Sequence, residues 1–265
     1  MSNRIDTMFA NNRRDQRKAF IPFLTAGDPD LATTKKIVLD MAASGADLIE
    51  LGIPFSDPMA EGPVIQAANV RALKGDVSID AIMDMVSELR EEIDTPLVYL
   101  LYYNSMLTYG LDAFFVRCKE VGIDGLIIPD LPFEESDEID EYVQKYQVYQ
   151  IMMVAPTSSA RLKEICAKAK GFLYCVSSLG VTGMRSSFST DFKGFFDQVN
   201  EVCDVPTCIG FGVSTPEQAA DLKQYCDGVI VGSAIVKRIG GAETMQARVG
   251  SVHELVMRMR QALDS

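Results

Sequence analysis

Short apolar runs recur along the chain, each followed by a turn and then by a segment with apolar residues at helical spacing. The runs are AFIPFLTAG (19–27), ADLIELGIPF (46–55), PLVYLLYYN (96–104), DGLIIPDLP (124–132), QVYQIMMVAPT (147–157), GFLYCVSSLG (171–180), PTCIGFGVS (206–214) and DGVIVGSAIV (227–236). Their apolar character is continuous rather than alternating, as strands buried on both faces of a parallel sheet require. Between the first two, LATTKKIVLDMAASG predicts a helix that stops at Gly45. SIDAIMDMVSELREEI, LDAFFVRCKEVG, SDEIDEYVQKY, SARLKEICAKAKG, DFKGFFDQVNEV and TPEQAADLKQY fill the other gaps, with Ser159 and Thr215 as N-caps. The leading RIDTMFANNR predicts an additional helix ahead of the first strand.

Eight β–α units within 265 residues predict an α/β fold, a (β/α)8 TIM barrel with an additional N-terminal helix. No linker, charge run or low-complexity segment marks a second domain, so residues 1–265 are expected to be a single barrel domain. A doubly wound open sheet is the competing arrangement, but no GxGxxG follows the first run.

In a barrel, chemistry sits on the loops at the C-terminal ends of the strands. Three such loops, GVTGMR, GFGVST and GSAIV, are rich in small residues. Gly183, Gly210, Gly212 and Gly232 let backbone approach a ligand closely, and Ser233 stands where a helix would aim free N–H groups at an anion. This pattern predicts a phosphate site, against the plainer reading that the glycines only make tight turns. The stretch LIELGIPFSDPMAEGP places three carboxylates, Glu50, Asp57 and Glu61, within twelve residues. Glu50 lies in an apolar run, where burial raises a carboxylic acid's pKa and lets it give and take a proton near neutrality. The alternative for Glu50 is a structural carboxylate bonded to a neighbouring hydroxyl. Asp57, in FSDP, suits the capping of a turn, and Glu61 lies on a loop within reach of the mouth. Tyr102, Asn104 and Tyr174 are polar residues near strand ends, although aromatic packing is an equal reading of Tyr174. Phe20, Leu100, Ile128 and Phe211 are candidates for the apolar floor of a site for a flat ring.

The formal net charge of −12 argues against nucleic acid or an anionic membrane as partner, but not against a small phosphorylated substrate held by backbone N–H groups. The first residues carry no apolar secretory segment, and no apolar run approaches the roughly 20 residues of a membrane span. Six cysteines include no CxxC pair and stand beside a single histidine, so reduced thiols, no metal site and a cytoplasmic location are expected. That histidine, His253, falls in an amphipathic helical pattern and reads as a surface residue. Acid–base chemistry is left to carboxylates, lysine, tyrosine or cysteine.

The blocks LIELGIPFSDPMAEGPVIQAA, YYN, PDLPFEES, GVTGMR, IGFGVSTPEQAA and VIVGSAIV, in this order from AFIPFLTAGDP onward, resemble the tryptophan synthase alpha chain family across essentially the whole sequence. The resemblance implies retro-aldol cleavage of indole-3-glycerol phosphate to indole and glyceraldehyde 3-phosphate. Glu50 then matches the family's proton-transferring glutamate. The family's second acid, normally the aspartate of ADGP, which bonds the indole N–H, is matched by Glu61 in AEGP. The added methylene shifts the carboxylate about 1.5 Å along its stem, and the expectation is that Glu61 keeps the role. The resemblance also implies that Phe20, Leu100, Tyr174 and Phe211 surround the indole. Gly183, Gly210, Phe211, Gly212, Gly232 and Ser233 would form the phosphate cradle. Thr182 would close over the site and touch the Glu61 loop. Asp57, Asn104, Asp130 and Pro132 would lie on the face that docks a beta chain in an alpha2beta2 assembly. Pyridoxal phosphate would belong to that beta partner, which joins indole to serine, and no cofactor to this chain. Three other readings remain: a barrel enzyme acting on another phosphosugar, a feebly catalytic subunit that mainly activates a beta chain, and a free-standing indole-producing lyase.

Overall fold

The computed structural model describes residues 3–176, 192–210 and 212–265. Among these residues the apolar runs form nine short strands, all paired in parallel: β1 (Ala19–Thr25), β2 (Ile49–Gly52), β3 (Leu97–Leu100), β4 (Gly125–Ile127), β5 (Tyr149–Gln150), β6 (Met153–Val154), β7 (Leu173–Val176), β8 (Thr207–Gly210) and β9 (Gly228–Val231). The ninth arises because the fifth run divides its pairing between two neighbours. β5 pairs with β4 and β6 with β7. Between them the Ile151 N–H donates to the Leu126 carbonyl (2.8 Å), and the Met152 carbonyl accepts from the Tyr174 N–H (2.9 Å). The order β5-β4-β3-β2-β1-β9-β8-β7-β6 therefore closes on itself through Ile151 and Met152. The result is the expected barrel.

The helices are α1 (Arg4–Arg14), α2 (Leu31–Ala43), α3 (Pro63–Leu73), α4 (Ile79–Arg90), α5 (Tyr103–Tyr109), α6 (Leu111–Val121), α7 (Asp140–Tyr146), α8 (Leu162–Lys168), α9 (Phe192–Asn200), α10 (Pro216–Leu222), α11 (Ser233–Gly241) and α12 (Met245–Asp264). The side chains of Asn3, Asp30, Ser78, Thr215 and Thr244 accept first-turn N–H groups that have no partner inside the helix. Ser159 is not a cap. It lies inside a 3-10 helix (Pro156–Arg161), where the Ser158 hydroxyl instead accepts the Ala155 N–H at 3.1 Å. His253 sits on α12 with Nδ1 3.1 Å from the Asp40 carboxylate, on the surface as the pattern indicated. Among the described residues no helix is long and apolar enough to cross a membrane.

Side chains alternate between two cores, although the sequence of each strand does not. Ala19, Ile21, Leu48, Val98, Ile127, Tyr174, Cys208 and Ile230 fill the barrel interior. Phe20, Leu24, Ile49, Leu51, Leu97 and Tyr99 pack outward against the helices. α1 turns Ile5, Met8 and Phe9 into the interior core, so the additional helix covers the N-terminal end of the barrel. At that same end three aspartates, each just ahead of a strand, accept the first N–H groups of the neighbouring strand. Asp47 takes Phe20 N–H (2.8 Å), Asp124 takes Leu97 N–H (2.9 Å) and Asp227 takes Thr207 N–H (3.0 Å). Asp47 also pairs with Arg260 at 2.8 Å, and Asp124 with Arg4 (3.0 Å) and Arg90 (2.8 Å).

Candidate active site

The opposite, C-terminal end of the barrel opens into a pocket lined from nearly every direction of the ring. Phe23 enters from β1, Glu50 from β2, Leu100 from β3, Met153 from β6, Tyr174 from β7 and Ile230 from β9. The loops after β2, β4, β8 and β9 add Ala60, Glu61, Pro129, Gly212, Val213, Gly232 and Ser233, and α3 adds Ile65. The walls are apolar, and two carboxyl groups face into them.

Glu50 points inward because it shares the parity of Leu48, whose side chain belongs to the interior core. It is 1 % exposed, and its Oε1 has no hydrogen-bond partner in the protein. Loss of water without compensation disfavours the charged form, and burial pushes its pKa up to about 8. The carboxyl is thus largely protonated at neutral pH and can deliver a proton. The buried Tyr174 phenol is pushed well above its usual range by burial and then by Glu50 beside it.

Glu61 is buried as well, at 5 % exposure, but it is held. Its Oε2 accepts from Asn69 Nδ2 of α3 at 3.0 Å, and the Tyr102 hydroxyl also bonds the carboxylate. The same hydroxyl accepts the Ala60 N–H at 2.9 Å, and Gln66 Nε2 donates to the Glu61 carbonyl at 2.8 Å. Burial raises the Glu61 pKa to about 7, with the Asn69 and Tyr102 bonds pulling against it. The loop residue read from sequence as free to reach the mouth is therefore fastened at its rim by α3 and by Tyr102, which caps the start of α5.

The small residues divide into two kinds. Gly212 takes φ +95°, a backbone conformation that side chains with a Cβ rarely adopt, and it lines the pocket. Gly232 and Ser233 line it too, Ser233 as the first residue of α11, whose first-turn N–H groups have no acceptor within the helix. Gly210 makes room for the Tyr174 phenol, since a Cβ there would lie 2.6 Å from the ring. Thr182, Gly183 and Phe211 lie outside the described residues.

Phe20 does not reach the pocket. It faces the helices in the outer core, and Phe23, three residues on and of opposite parity, lines the mouth beside Glu50, its register partner. Alternation counted from Ala19 and Ile21 would have given Phe23, but the unbroken apolar run hides which parity faces inward. Asn69 was also missed, since nothing in PVIQAANVRAL distinguishes it from an ordinary helix polar residue. Asp57, Asn104, Asp130 and Pro132 are all exposed, on the loops and helix that follow β2, β3 and β4. Met59, between Asp57 and Glu61, is 79 % exposed, and Leu107 of α5 is 50 % exposed. Among the described residues no cluster of histidine, cysteine and acidic side chains is arranged to hold a metal ion.

A closed ring of parallel strands, with two buried carboxyls in an apolar mouth that Gly212, Gly232 and Ser233 also line, defines a (β/α)8-barrel protein with a carboxyl-bearing pocket at the C-terminal end of its strands. The family model for "Tryptophan synthase alpha chain" matches residues 9–264, and the chain belongs to that family. The tryptophan synthase alpha chain of Caldanaerobacter subterraneus subsp. tengcongensis is 48% identical over 261 residues, 98% of this chain and 100% of the relative. That of Clostridium kluyveri is 44% identical over 262 residues, 99% of this chain and 100% of the relative. The crystal structure of the alpha chain from Legionella pneumophila superposes with a TM-score of 0.91 at 38% identity, covering 100% of this chain and 98% of that one. A structure of Mycobacterium tuberculosis tryptophan synthase superposes with a TM-score of 0.90 at 32% identity, covering 99% of each chain. The barrel and the place in tryptophan biosynthesis expected from the sequence both hold.

Proposed function

We propose that the chain, acting as a single barrel domain, cleaves indole-3-glycerol phosphate by a retro-aldol reaction. The observation that carries this reading is the pair of buried carboxyls, Glu50 and Glu61, in one apolar pocket with pKa values raised to about 8 and about 7. Protonated Glu50 gives its proton to C3 of the indole ring. The hydroxyl on the adjacent glycerol carbon loses its proton as that carbon becomes a carbonyl, and the carbon–carbon bond between them breaks. Indole and glyceraldehyde 3-phosphate leave, and the hydroxyl proton restores Glu50. Ionised Glu61 accepts the indole N–H and stabilises the positive charge that C3 protonation places on the ring. Phe23 and Leu100, on the pocket wall, fit the flat faces of the ring, a part the sequence had given to Phe20. The N–H groups at Gly212, Gly232 and Ser233, with the start of α11, suit the phosphate.

The exposed rim that carries Asp57, Asn104, Asp130 and Pro132 is assigned to a beta chain in an alpha2beta2 assembly. Exposed Met59 on the loop after β2 and exposed Leu107 on α5 support an apolar contact there. The beta chain would hold the pyridoxal phosphate and join the indole to serine. The test is indole release from indole-3-glycerol phosphate by the purified chain, alone and with a beta chain. Slow release that rises sharply with beta is expected. No release in either case, with the beta reaction still stimulated, would make the chain a regulatory subunit and overturn the proposal.

A further inference from the structure

The helix that carries Asn69 is lightly held by apolar contact. α3 starts after Gly62, which offers no side-chain cap, and Ile65 and Ala68 share a small cluster with Phe23 of β1 and Val236 of α11. Val70 and Leu73 lie exposed on its outer side. An ion pair supplies the directional hold. Arg71 Nε and Nη2 each donate at 2.7 Å, one to each oxygen of Asp28 in the loop after β1. Asp28 is buried and the guanidinium partly so, and two parallel bonds of this kind set direction as well as distance. The loop that supplies Asp28 is itself anchored, since the Gly27 N–H donates to the Thr34 hydroxyl of α2 at 3.0 Å and that hydroxyl donates to the Asp30 carbonyl at 2.9 Å. On its other side the guanidinium runs against α11, where a Cβ at Gly240 would lie 2.9 Å from Arg71 Nη2. The fork therefore joins three elements that each give the pocket a side chain, Phe23 from β1, Ile65 from α3 and Ser233 from α11.

We propose that Arg71 is a positioning residue for the reaction: its fork on Asp28 sets where α3 stands on the rim and thereby, through Asn69, where the Glu61 carboxylate points. The inference rests on the part given to Glu61 in the cleavage. α3 holds that residue twice, at the side chain through Asn69 Nδ2 (3.0 Å) and at the backbone through Gln66 Nε2 (2.8 Å), so a shift of the helix moves both donors together. Misplacement of a reacting group by about 1 Å costs on the order of a hundredfold in rate. A glutamate has one more rotatable bond than an aspartate and loses more freedom when it is fixed, so its aim depends more on what holds it. Without Arg71 the buried Asp28 would keep a charge with no cation against it, and the loop and α3 would part. A lysine would keep the charge but offer a single point of contact in place of the planar fork.

The experiment is a cycle of indole-release kinetics on the whole chain with Arg71→Met, Glu61→Gln and the two changes together. Arg71→Met removes the fork, and kcat should fall about tenfold with KM nearly unchanged, because Glu61 acts on charge that forms only in the transition state. Arg71→Lys should recover part of that loss. In the Glu61→Gln chain the same change at position 71 should cost less than about twofold, since the acid it places is gone. An equal tenfold loss in that background would mean that Arg71 supports the barrel and not the acid, and would overturn the proposal. Full turnover by the Arg71→Met chain would overturn it too. Undiminished release by the Glu61→Gln chain alone would strike the part given to Glu61 and this inference with it, a failure told apart by needing no change at position 71. Where Arg71→Met folds poorly, Gly240→Ala presses a methyl against the guanidinium within a helix that favours alanine, and the same cycle is read from that chain.

Discussion

Glu50 and Glu61 reach neighbouring proton affinities by different routes, and the routes assign their work. Glu50 has lost water and gained no partner at Oε1, so it is a proton donor in waiting. Glu61 has lost water but gained Asn69 and Tyr102, so its charged form is partly supported and its position is fixed. Glu50→Gln keeps the shape of the acid and removes its proton, and steady-state indole release should fall by about 10³-fold or more. Glu61→Gln should lower turnover by roughly a hundredfold, since the amide cannot balance the ring charge. Undiminished cleavage by the Glu61→Gln chain would refute the part given to Glu61. Asn69→Ala frees the same carboxylate, and a loss of about tenfold in turnover with little change in thermal stability is expected. At this scale the sequence was readable where a residue's own chemistry marked it. A glutamate in an apolar run announces itself, whereas Phe23 and Phe20 differ only in parity, and strands apolar on both faces carry no parity signal. Tyr102 was noticed as polar at a strand end, but its bond to Glu61 depends on how the β2 loop folds back over β3, which no local pattern encodes.

The elements are fastened at one end of the barrel and left open for chemistry at the other. Asp47, Asp124 and Asp227 repeat one device, a carboxylate just ahead of a strand that closes the start of the neighbouring strand. Asp124 carries the most, since Arg4 of α1 and Arg90 of α4 both converge on it. Asp124→Ala strands the partly buried Arg90 guanidinium and the Leu97 N–H, and urea unfolding should show a loss of about 3–5 kcal/mol. The corresponding change at Asp227, whose side chain accepts the Thr207 N–H and pairs with no arginine among the described residues, should cost about 1–2 kcal/mol. A cost at Asp124 no larger than at Asp227 would show that the two arginines find solvent instead. Element boundaries were legible wherever caps mark them, as at Thr215 with Gln218. They were not legible at Ser159, because the Pro156 turn winds as a 3-10 helix before α8 begins. The fifth strand also gave no warning of its division, since its break comes from serving two neighbours while the ring closes.

At the scale of the whole molecule the two acids set how activity and stability answer to pH. If Glu50 must be protonated and Glu61 ionised, turnover should rise as pH passes about 7 and fall as it passes about 8, giving a narrow bell. Stability has the opposite asymmetry. Glu50 holds its proton more tightly folded than unfolded, so its contribution is intact below the unfolded value near 4.5 and is lost as pH rises through about 8. Glu50→Gln should therefore leave thermal stability near pH 4.5 unchanged and raise it by up to a few kcal/mol above pH 8, as followed by unfolding at several pH values. Equal gains at both ends would mean that packing, and not the proton, accounts for the change.

The unpartnered oxygen of Glu50 also fixes what different kinds of laboratory evolution would do to this chain. A library propagated for survival of heat alone, with no demand for product, gains by discharging the barrel mouth, and position 50 should drift to uncharged residues early. Growth that depends on the product pins the same position. Sequencing the two populations side by side would separate the residues the barrel needs to stand from those it keeps in spite of standing.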